Sequence, residues 1–214
     1  MAVEAKICGL TRPEDAAAAT EGGAAYLGVV FASGPRVVPP ARAAEIVAAA
    51  GGVPVLGVFG SQPVDEILDI AAAAGLAGAQ LHGDYPGQDA ARLRAAGLEV
   101  WRVVRIAAPP DLDRLEGATA DADAVLVEPR VAHADGGTGV SLDLAVAREA
   151  RARLMNRRMV LAGGLTPDNV AGAVALVRPD VVDVSSGVEH LPGIKDPHKI
   201  AAFLEAVLGP SAIS

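Results

Sequence analysis

The chain is poor in cysteine and aromatic residues, and it has no surplus of positive charge. Its 214 residues include one cysteine, one tryptophan, two tyrosines and three phenylalanines. A lone cysteine cannot form an internal disulfide, which indicates a reducing compartment. The net charge of −8 argues against a general nucleic-acid surface, because phosphate backbones are bound by clustered lysine and arginine. A phosphorylated small molecule is not excluded, since backbone amides can hold its phosphate.

Long apolar runs, targeting patterns and metal motifs are also missing. No stretch reaches the roughly 18 apolar residues that a membrane-spanning helix needs, and the N-terminus carries no signal-peptide pattern. No Cys/His cluster has zinc spacing, and no acidic pair indicates Ca²⁺ or Mg²⁺. We therefore expect a cytoplasmic protein that needs no metal or other cofactor and contacts neither membrane nor nucleic acid. Alanine- and leucine-rich helix faces fit a monomer or a homodimer equally well.

Eight short apolar runs alternate with alanine-rich helical segments. The runs show no polar alternation, which is typical of parallel strands buried on both faces. They cover residues 3–8, 26–31, 54–59, 78–81, 100–106, 124–128, 159–162 and 181–185. No linker divides the chain, so we expect a single domain over residues 1–214. The pattern predicts an α/β fold, a (β/α)8 TIM barrel with a closed parallel sheet, and leaves an open doubly wound sheet as the alternative.

The helical segments are well marked except for one. They cover residues 12–20, 40–50, 64–74, 89–96, 142–155, 167–177 and 197–208, and the fifth connection (residues 111–115) is brief enough for a single or 3₁₀ turn. Thr11 and Glu14 have the spacing of a capping box, with Pro13 in the first turn. Thr166 before Pro167 predicts another helix start.

Two glycine-rich turns follow the last two strands. Gly163-Gly164 comes after the seventh strand, and Ser185-Ser186-Gly187 ends the eighth. Barrel loops at these positions often bind phosphate through backbone N–H groups, and glycine lets the anion approach the backbone. The alternative is a pair of ordinary tight turns. Together they favour a phosphate site.

Several reactive side chains lie at predicted strand ends. Cys8 ends the first strand and is a candidate base or nucleophile if positive charge lowers its pKa, although a lone cysteine is usually a buried apolar residue. Glu128 ends the sixth strand and is a candidate general acid if burial raises its pKa, or a solvated carboxylate. Arg36 follows the second strand and is either a carboxylate-binding fork or an exposed loop residue.

Three further polar residues and one more glycine-rich segment complete the candidate site. Gln80 and His82 flank the fourth strand's last residue and point the same way, although His82 by itself also suits a structural role. Asp183 points into the barrel, where its charge needs a partner. The segment that follows the sixth strand lacks dinucleotide-fingerprint spacing and is interpreted as an active-site loop; it consists of Gly136, Gly137, Thr138 and Gly139.

These residues, in this order, resemble the phosphoribosylanthranilate isomerase family of tryptophan biosynthesis. The resemblance extends from residue 3 to about residue 203 and is carried by residues 6–16, 28–31, 35–36, 80–83, 136–139, 162–170, 182–189 and 192–196. It implies a (β/α)8 barrel that catalyses an Amadori rearrangement without a cofactor. By position, Cys8 resembles the general base, Arg36 the residue that binds the anthranilate carboxylate, and the turns at Gly163 and Ser185 the phosphate grip.

One departure from the family pattern bears on the mechanism. The family usually has an aspartate as general acid at the end of strand six, where this chain has Glu128, and Asp135 is a less favoured substitute. A misplacement near 1 Å costs on the order of 10²-fold in rate. Two alternatives stay open. One is a catalytically impaired barrel that binds a phosphorylated ligand. The other is a histidine-pathway sugar-phosphate isomerase; that resemblance implies a pair of aspartates at strand ends, one of them on the first strand, where this chain has Cys8.

Overall fold

Eight parallel strands close into a barrel in which each strand pairs with its neighbours in chain order. The computed structural model describes residues 2–130, 143–155 and 157–209. Its barrel strands are β1 Glu4–Ile7, β2 Tyr26–Val30, β3 Val55–Phe59, β4 Gly78–Leu81, β5 Glu99–Ile106, β6 Ala124–Pro129, β7 Arg158–Ala162 and β8 Val181–Val184. The pairing of β1 with β8 joins the first strand to the last, so the sheet is a closed barrel and the open alternative is wrong.

Helices surround the barrel on the outside. They are α1 Pro13–Glu21, α2 Pro40–Ala49, α3 Val64–Ala74, α4 Gly87–Ala95, α5 Arg114–Thr119, α6 Leu144–Leu154, α7 Val170–Val177 and α8 Pro197–Leu208. The brief fifth connection contains a 3₁₀ helix, Pro109–Asp113, that leads directly into α5. An antiparallel hairpin that the sequence did not predict, β9 Glu189–Leu191 and β10 Ile194–Lys195, lies between β8 and α8.

Both predicted N-caps are wrong. Thr11 does not cap α1: its hydroxyl donates to the carbonyl of Gly193 in the β9–β10 hairpin, and the N-cap residue Arg12 makes no side-chain capping bond. At α7 the helix begins only at Val170, because the Asn169 side chain accepts from the Thr166 N–H and so stabilises a turn before the helix. A tertiary contact thus takes the Thr11 hydroxyl, and a turn at Thr166 delays the start of α7.

Apolar side chains fill two layers. The layer between strands and helices is built mainly from alanine, valine, leucine and isoleucine, with a few phenylalanines. Inside the barrel, Trp101 is fully buried among Leu56, Leu126 and Val160, and Tyr26 meets it edge to face at 5.0 Å between ring centroids. This packed interior closes one end of the barrel, so the chemistry is confined to the end where the strands finish.

The helices give no indication of a membrane segment. Among residues 2–130, 143–155 and 157–209, none is both long enough and apolar enough to cross a bilayer.

Candidate active site

A cavity of about 280 Å³ opens at the carboxyl ends of the strands. Seven of the predicted residues line it: Cys8, Arg36, Gln80, His82, Glu128, Asp183 and Ser185. A larger depression of about 780 Å³ lies beside Arg102 and Asp121, but none of these seven residues lines it. In TIM barrels the catalytic groups come from the ends of several different strands, which is the arrangement seen around this cavity.

Cys8 lies next to a buried ion pair. The Lys6 ammonium donates to Gln80 Oε1 at 2.7 Å and to Asp183 Oδ1 at 3.2 Å, and Lys6 is fully buried. Lys6 thus supplies the partner that the Asp183 charge was predicted to need. Gly28 on β2 provides the space, because a Cβ there would lie 2.7 Å from the Cys8 sulfur and 3.1 Å from Lys6 Cε.

Burial controls the protonation of the thiol. It raises the pKa of Cys8 above its ordinary value, and the neighbouring charge of Lys6 lowers the pKa by less than burial raises it. For Lys6 the balance is reversed: burial acts to lower its pKa, but Asp183 and Cys8 outweigh that effect and raise it. The resting cavity therefore holds a neutral thiol beside a charged ammonium, and the condition that positive charge lowers the thiol pKa on balance is not met.

Glu128 is held by residues from the two preceding strands. Its Oε1 lies 2.8 Å from His82 Nε2 and accepts from Arg105 Nε at 3.0 Å. Arg105 is the register partner of Glu128 on β5, and its Nη2 lies 2.9 Å from His82 Nδ1. The carboxyl group is buried, so the alternative of a solvated carboxylate is wrong.

The environment of Glu128 favours its charged form. Burial acts to raise the pKa of Glu128, but the hydrogen bonds and charges of His82 and Arg105 outweigh it and lower the pKa below its ordinary value. The condition that burial raises this pKa towards neutrality is therefore not met. The physical reasons are His82 and Arg105, neither of which sequence reasoning connected to Glu128.

Arg36 is partly buried against a carboxylate of the chain itself. Its Nε and Nη2 donate to the two oxygens of Glu189 at 2.8 and 2.7 Å, a bidentate pair, and its side chain is 13% exposed. The alternative of an exposed loop arginine is therefore wrong. The buried Lys195 ammonium also donates to Glu189 at 2.9 Å. Burial acts to raise the pKa of Glu189, but Arg36 and Lys195 outweigh it and lower the pKa.

The two predicted phosphate turns meet beside the cavity. A Cβ on Gly187 would lie 1.9 Å from the carbonyl oxygen of Leu165, so the chain after β8 packs directly on the turn after β7. Gly163 and Gly164 have φ of +98° and +65°, which bulkier residues adopt only with strain. Ser185 lines the cavity, and Ser186 begins the 3₁₀ turn Ser186–Val188.

Sequence reasoning missed four charged residues that contact the predicted ones: Lys6, Arg105, Glu189 and Lys195. Lys6 carried a usable signal, because a charge two residues before Cys8 on a buried strand must face the same interior. The other three become neighbours only through the fold. The predicted loop Gly136, Gly137, Thr138 and Gly139, together with Asp135, lies outside the described residues. In residues 2–130, 143–155 and 157–209, no cluster of three His, Cys, Asp or Glu could hold a metal.

Comparison with known proteins gives a consistent result. The family "N-(5'-phosphoribosyl)anthranilate (PRA) isomerase" matches residues 5–206. The N-(5'-phosphoribosyl)anthranilate isomerase of Paracoccus denitrificans is 42% identical over 98% of this chain and 99% of its own length.

Solved structures of that name have the same fold. Monomers of the dimeric Thermotoga maritima isomerase match with a TM-score of 0.84 at 34% identity, covering 96% of this chain and 98% of theirs. A phosphoribosylanthranilate isomerase bound to reduced 1-(o-carboxyphenylamino)-1-deoxyribulose 5-phosphate matches with a TM-score of 0.84 at 32% identity and the same coverage. A family match over almost the whole length and relatives above 40% identity leave one assignment: this chain belongs to the N-(5'-phosphoribosyl)anthranilate isomerase family.

Proposed function

We propose that Cys8 and Glu128 carry out the proton transfers of this isomerase. As a family member, the chain catalyses a step of tryptophan biosynthesis, the Amadori rearrangement of N-(5-phospho-β-D-ribosyl)anthranilate to 1-(2-carboxyphenylamino)-1-deoxy-D-ribulose 5-phosphate. The observation that carries the assignment is that the thiol and the carboxyl line one cavity together with Ser185, which begins the turn that packs on the turn after β7.

The two residues act in sequence. Glu128 gives a proton to the ring oxygen of the ribose, and the C1′–oxygen bond breaks to leave an open-chain iminium. Cys8 then takes the proton from C2′, and the electrons of that C–H bond form the enolamine, which tautomerises to the ketose. One proton is given and one is taken, so the reaction needs no redox partner and no cofactor.

Charged and polar groups hold the two ends of the substrate. Arg36 lines the cavity and binds the anthranilate carboxylate through Nη1 and Nη2, because Glu189 engages Nε and the other N–H of Nη2. The phosphate binds to backbone N–H groups of the turns at Gly163-Gly164 and Ser185-Ser186-Gly187. Gln80, His82 and Asp183 contact the sugar between these two anchors.

In the resting enzyme the proton lies on the Cys8 thiol, whereas the reaction needs it on the Glu128 carboxyl. The pKa of Cys8 lies above its ordinary value because of burial, and that of Glu128 lies below its ordinary value because His82 and Arg105 outweigh burial. The reaction needs a thiolate and a protonated carboxyl. This pair holds one proton in total, as the resting pair of thiol and carboxylate does. The active form is therefore a minor tautomer of the resting form, and the charge of Lys6 beside the sulfur favours it.

Three variants test the assignment. We expect Cys8→Ala and Glu128→Gln each to lose most of kcat, by about 10²-fold or more, in a steady-state assay with the ribosylanthranilate. Glu45→Gln, an exposed α2 carboxylate paired with Arg42, is the matched control and keeps wild-type turnover. Near wild-type kcat in either active-site variant would refute the role of that residue.

One observation favours a second candidate, a barrel that binds its phosphorylated ligand without turnover. Glu128 is ionised at rest and stands where the family usually has aspartate. Complementation of a tryptophan auxotroph that lacks the isomerase separates the two: growth supports the enzyme, and no growth from a folded, expressed chain supports the idle barrel. Turnover of the histidine-pathway substrate would revive the third alternative.

The chemistry of Cys8 also bears on where the protein works. A cytoplasmic location fits a base that must remain a free thiol, since Cys8 is the only cysteine in the chain. The chain is a monomer or a homodimer, and sedimentation at enzyme-assay concentrations distinguishes them.

A further inference from the structure

Acceptor chemistry places one ring proton of His82. Arg105 Nη2 lies 2.9 Å from Nδ1 and 3.5 Å from Nε2, so it lies beside the ring and does not by itself fix the tautomer. Carboxylate oxygens only accept, so the ring nitrogen that faces Glu128 Oε1 must donate. The ring proton therefore lies on Nε2, which donates to Glu128 Oε1 at 2.8 Å.

The same reasoning separates the two oxygens of Glu128. Oε1 accepts from both His82 Nε2 and Arg105 Nε, at 2.8 and 3.0 Å. Within the described residues, no hydrogen bond is made by Oε2. Because a proton on Oε1 would face two donors, the acid proton of Glu128 must be carried by Oε2.

From this geometry we propose that Arg105 and His82 are positioning residues, which hold Glu128 by Oε1 and leave Oε2 to give the proton to the substrate. Compared with the usual aspartate, the additional methylene of Glu128 brings Oε1 to Arg105 on β5 and to His82 at the end of β4. An aspartate at residue 128 would stop one methylene short of both donors. Arg105 and Glu128 are thus a matched pair, and the glutamate is a functional acid. This inference rests on the proposed function only for its kinetic consequences.

The first test needs no activity. In ¹⁵N NMR of the wild-type protein at neutral pH, with His82 assigned from His82→Gln, we expect a proton on Nε2. In Arg105→Met, Oε1 of Glu128 loses one of its two donors, and we expect the His82 Nε2 resonance to shift. Arg102→Met, on the same strand but paired with Asp121 and Tyr85, is the control and leaves the His82 signals unchanged. A wild-type His82 without a proton on Nε2 overturns the proposal, even if the enzyme is active.

The second test measures kcat and KM. We expect Arg105→Met and Glu128→Asp each to lower kcat by about 10²-fold, with KM changed by less than about threefold. Because both substitutions break the same contact between Arg105 and Glu128, the kcat of the double variant should be no lower than that of the slower single variant. Arg105→Lys recovers little, since one ammonium cannot contact both Glu128 and His82 Nδ1. A Glu128→Asp enzyme as fast as wild type, or fully additive losses, overturns the proposal. A failure of the proposed function itself appears instead as an unchanged kcat in Glu128→Gln.

Discussion

The Lys6 ammonium lies 3.2 Å from the Asp183 carboxylate inside the barrel, and the two residues are register partners on β1 and β8. The ion pair therefore lies at the seam where the last strand closes on the first. The same ammonium contacts Gln80 at 2.7 Å and is adjacent to the Cys8 thiol. Closure of the barrel and the electrostatic environment of the thiol thus depend on one buried charge.

Lys6→Met tests both roles of this charge. Removing one member of a buried pair leaves Asp183 uncompensated, so we expect the free energy of unfolding to fall by about 3–5 kcal/mol. Alkylation of Cys8 by iodoacetamide, followed against pH, should also shift to higher pH, because the charge that lowers the thiol pKa is gone. Since Cys8 is the only cysteine, all label reports on this site.

A second variant keeps that prediction testable if Lys6→Met does not fold. Lys6→Met combined with Asp183→Asn removes both charges and should recover part of the lost stability. Equal stability of the single and double variants would contradict a mutually compensating pair.

Gly28→Ala should damage the site directly. An added Cβ would lie 2.7 Å from the Cys8 sulfur and 3.3 Å from Cys8 Cα, so the strand or the thiol must move. We expect a loss of about 1–3 kcal/mol in the free energy of unfolding and a loss of kcat. Gly172→Ala, in α7 with nothing within 4 Å of the new Cβ, is the control. It should stabilise the protein by about 0.5–1 kcal/mol. A Gly28→Ala enzyme with wild-type stability and kcat would disprove the tight packing.

Glu189 should make the free energy of unfolding depend on pH in the acid range. Its pKa is lowered in the folded state, so the stabilisation it provides is present above its ordinary value of 4.5 and is lost as pH falls through the lower folded value. At neutral pH, Glu189→Gln should cost about 1–3 kcal/mol, because Arg36 and Lys195 lose a charged acceptor.

Chemical denaturation of wild type and Glu189→Gln at pH 7 and below pH 4.5 checks this prediction. The difference between the two proteins should shrink at the lower pH. Glu45→Gln, which removes an exposed partner of Arg42, should change stability by at most about 0.5 kcal/mol. A difference between wild type and Glu189→Gln that is independent of pH would rule out the charge as its source.

The pH dependence of kcat/KM should be a broad plateau. In the free enzyme the acid limb follows Glu128 and lies below 4.5, and the alkaline limb follows Cys8 and lies above 9.0, because both pKa values are shifted outward. The reactive form has a Cys8 thiolate and a protonated Glu128. Below the plateau both groups are protonated, so the thiolate is lost, and above it both are deprotonated, so the proton on Glu128 is lost. Initial rates at low substrate concentration across this range measure the limbs. A narrow bell with both limbs inside that window would contradict the resting protonation states.

Much of the site could be predicted because parallel strands in a barrel all end on one face. Cys8, Gln80, His82 and Glu128 were identified from their places at strand ends, and all four line the cavity. The direction of the Glu128 pKa shift could not be predicted, because it depends on contacts with His82 and Arg105, and the approach of Arg105 depends on the register of β5 against β6. Thr11 shows the same limit, since its partner Gly193 belongs to a hairpin far along the chain.

The amino-acid sequence by itself determined the number of strands, the positions of the strand ends and the residues that could carry acid–base chemistry, because apolar periodicity and glycine placement are local properties. Only the tertiary structure decided that the sheet closes, that Lys6 faces Asp183, that Arg36 is paired with Glu189, and that Glu128 is held by Arg105 and His82. Those contacts join residues that are distant in the chain, and charge effects depend on distance and burial, which appear only when the chain is folded.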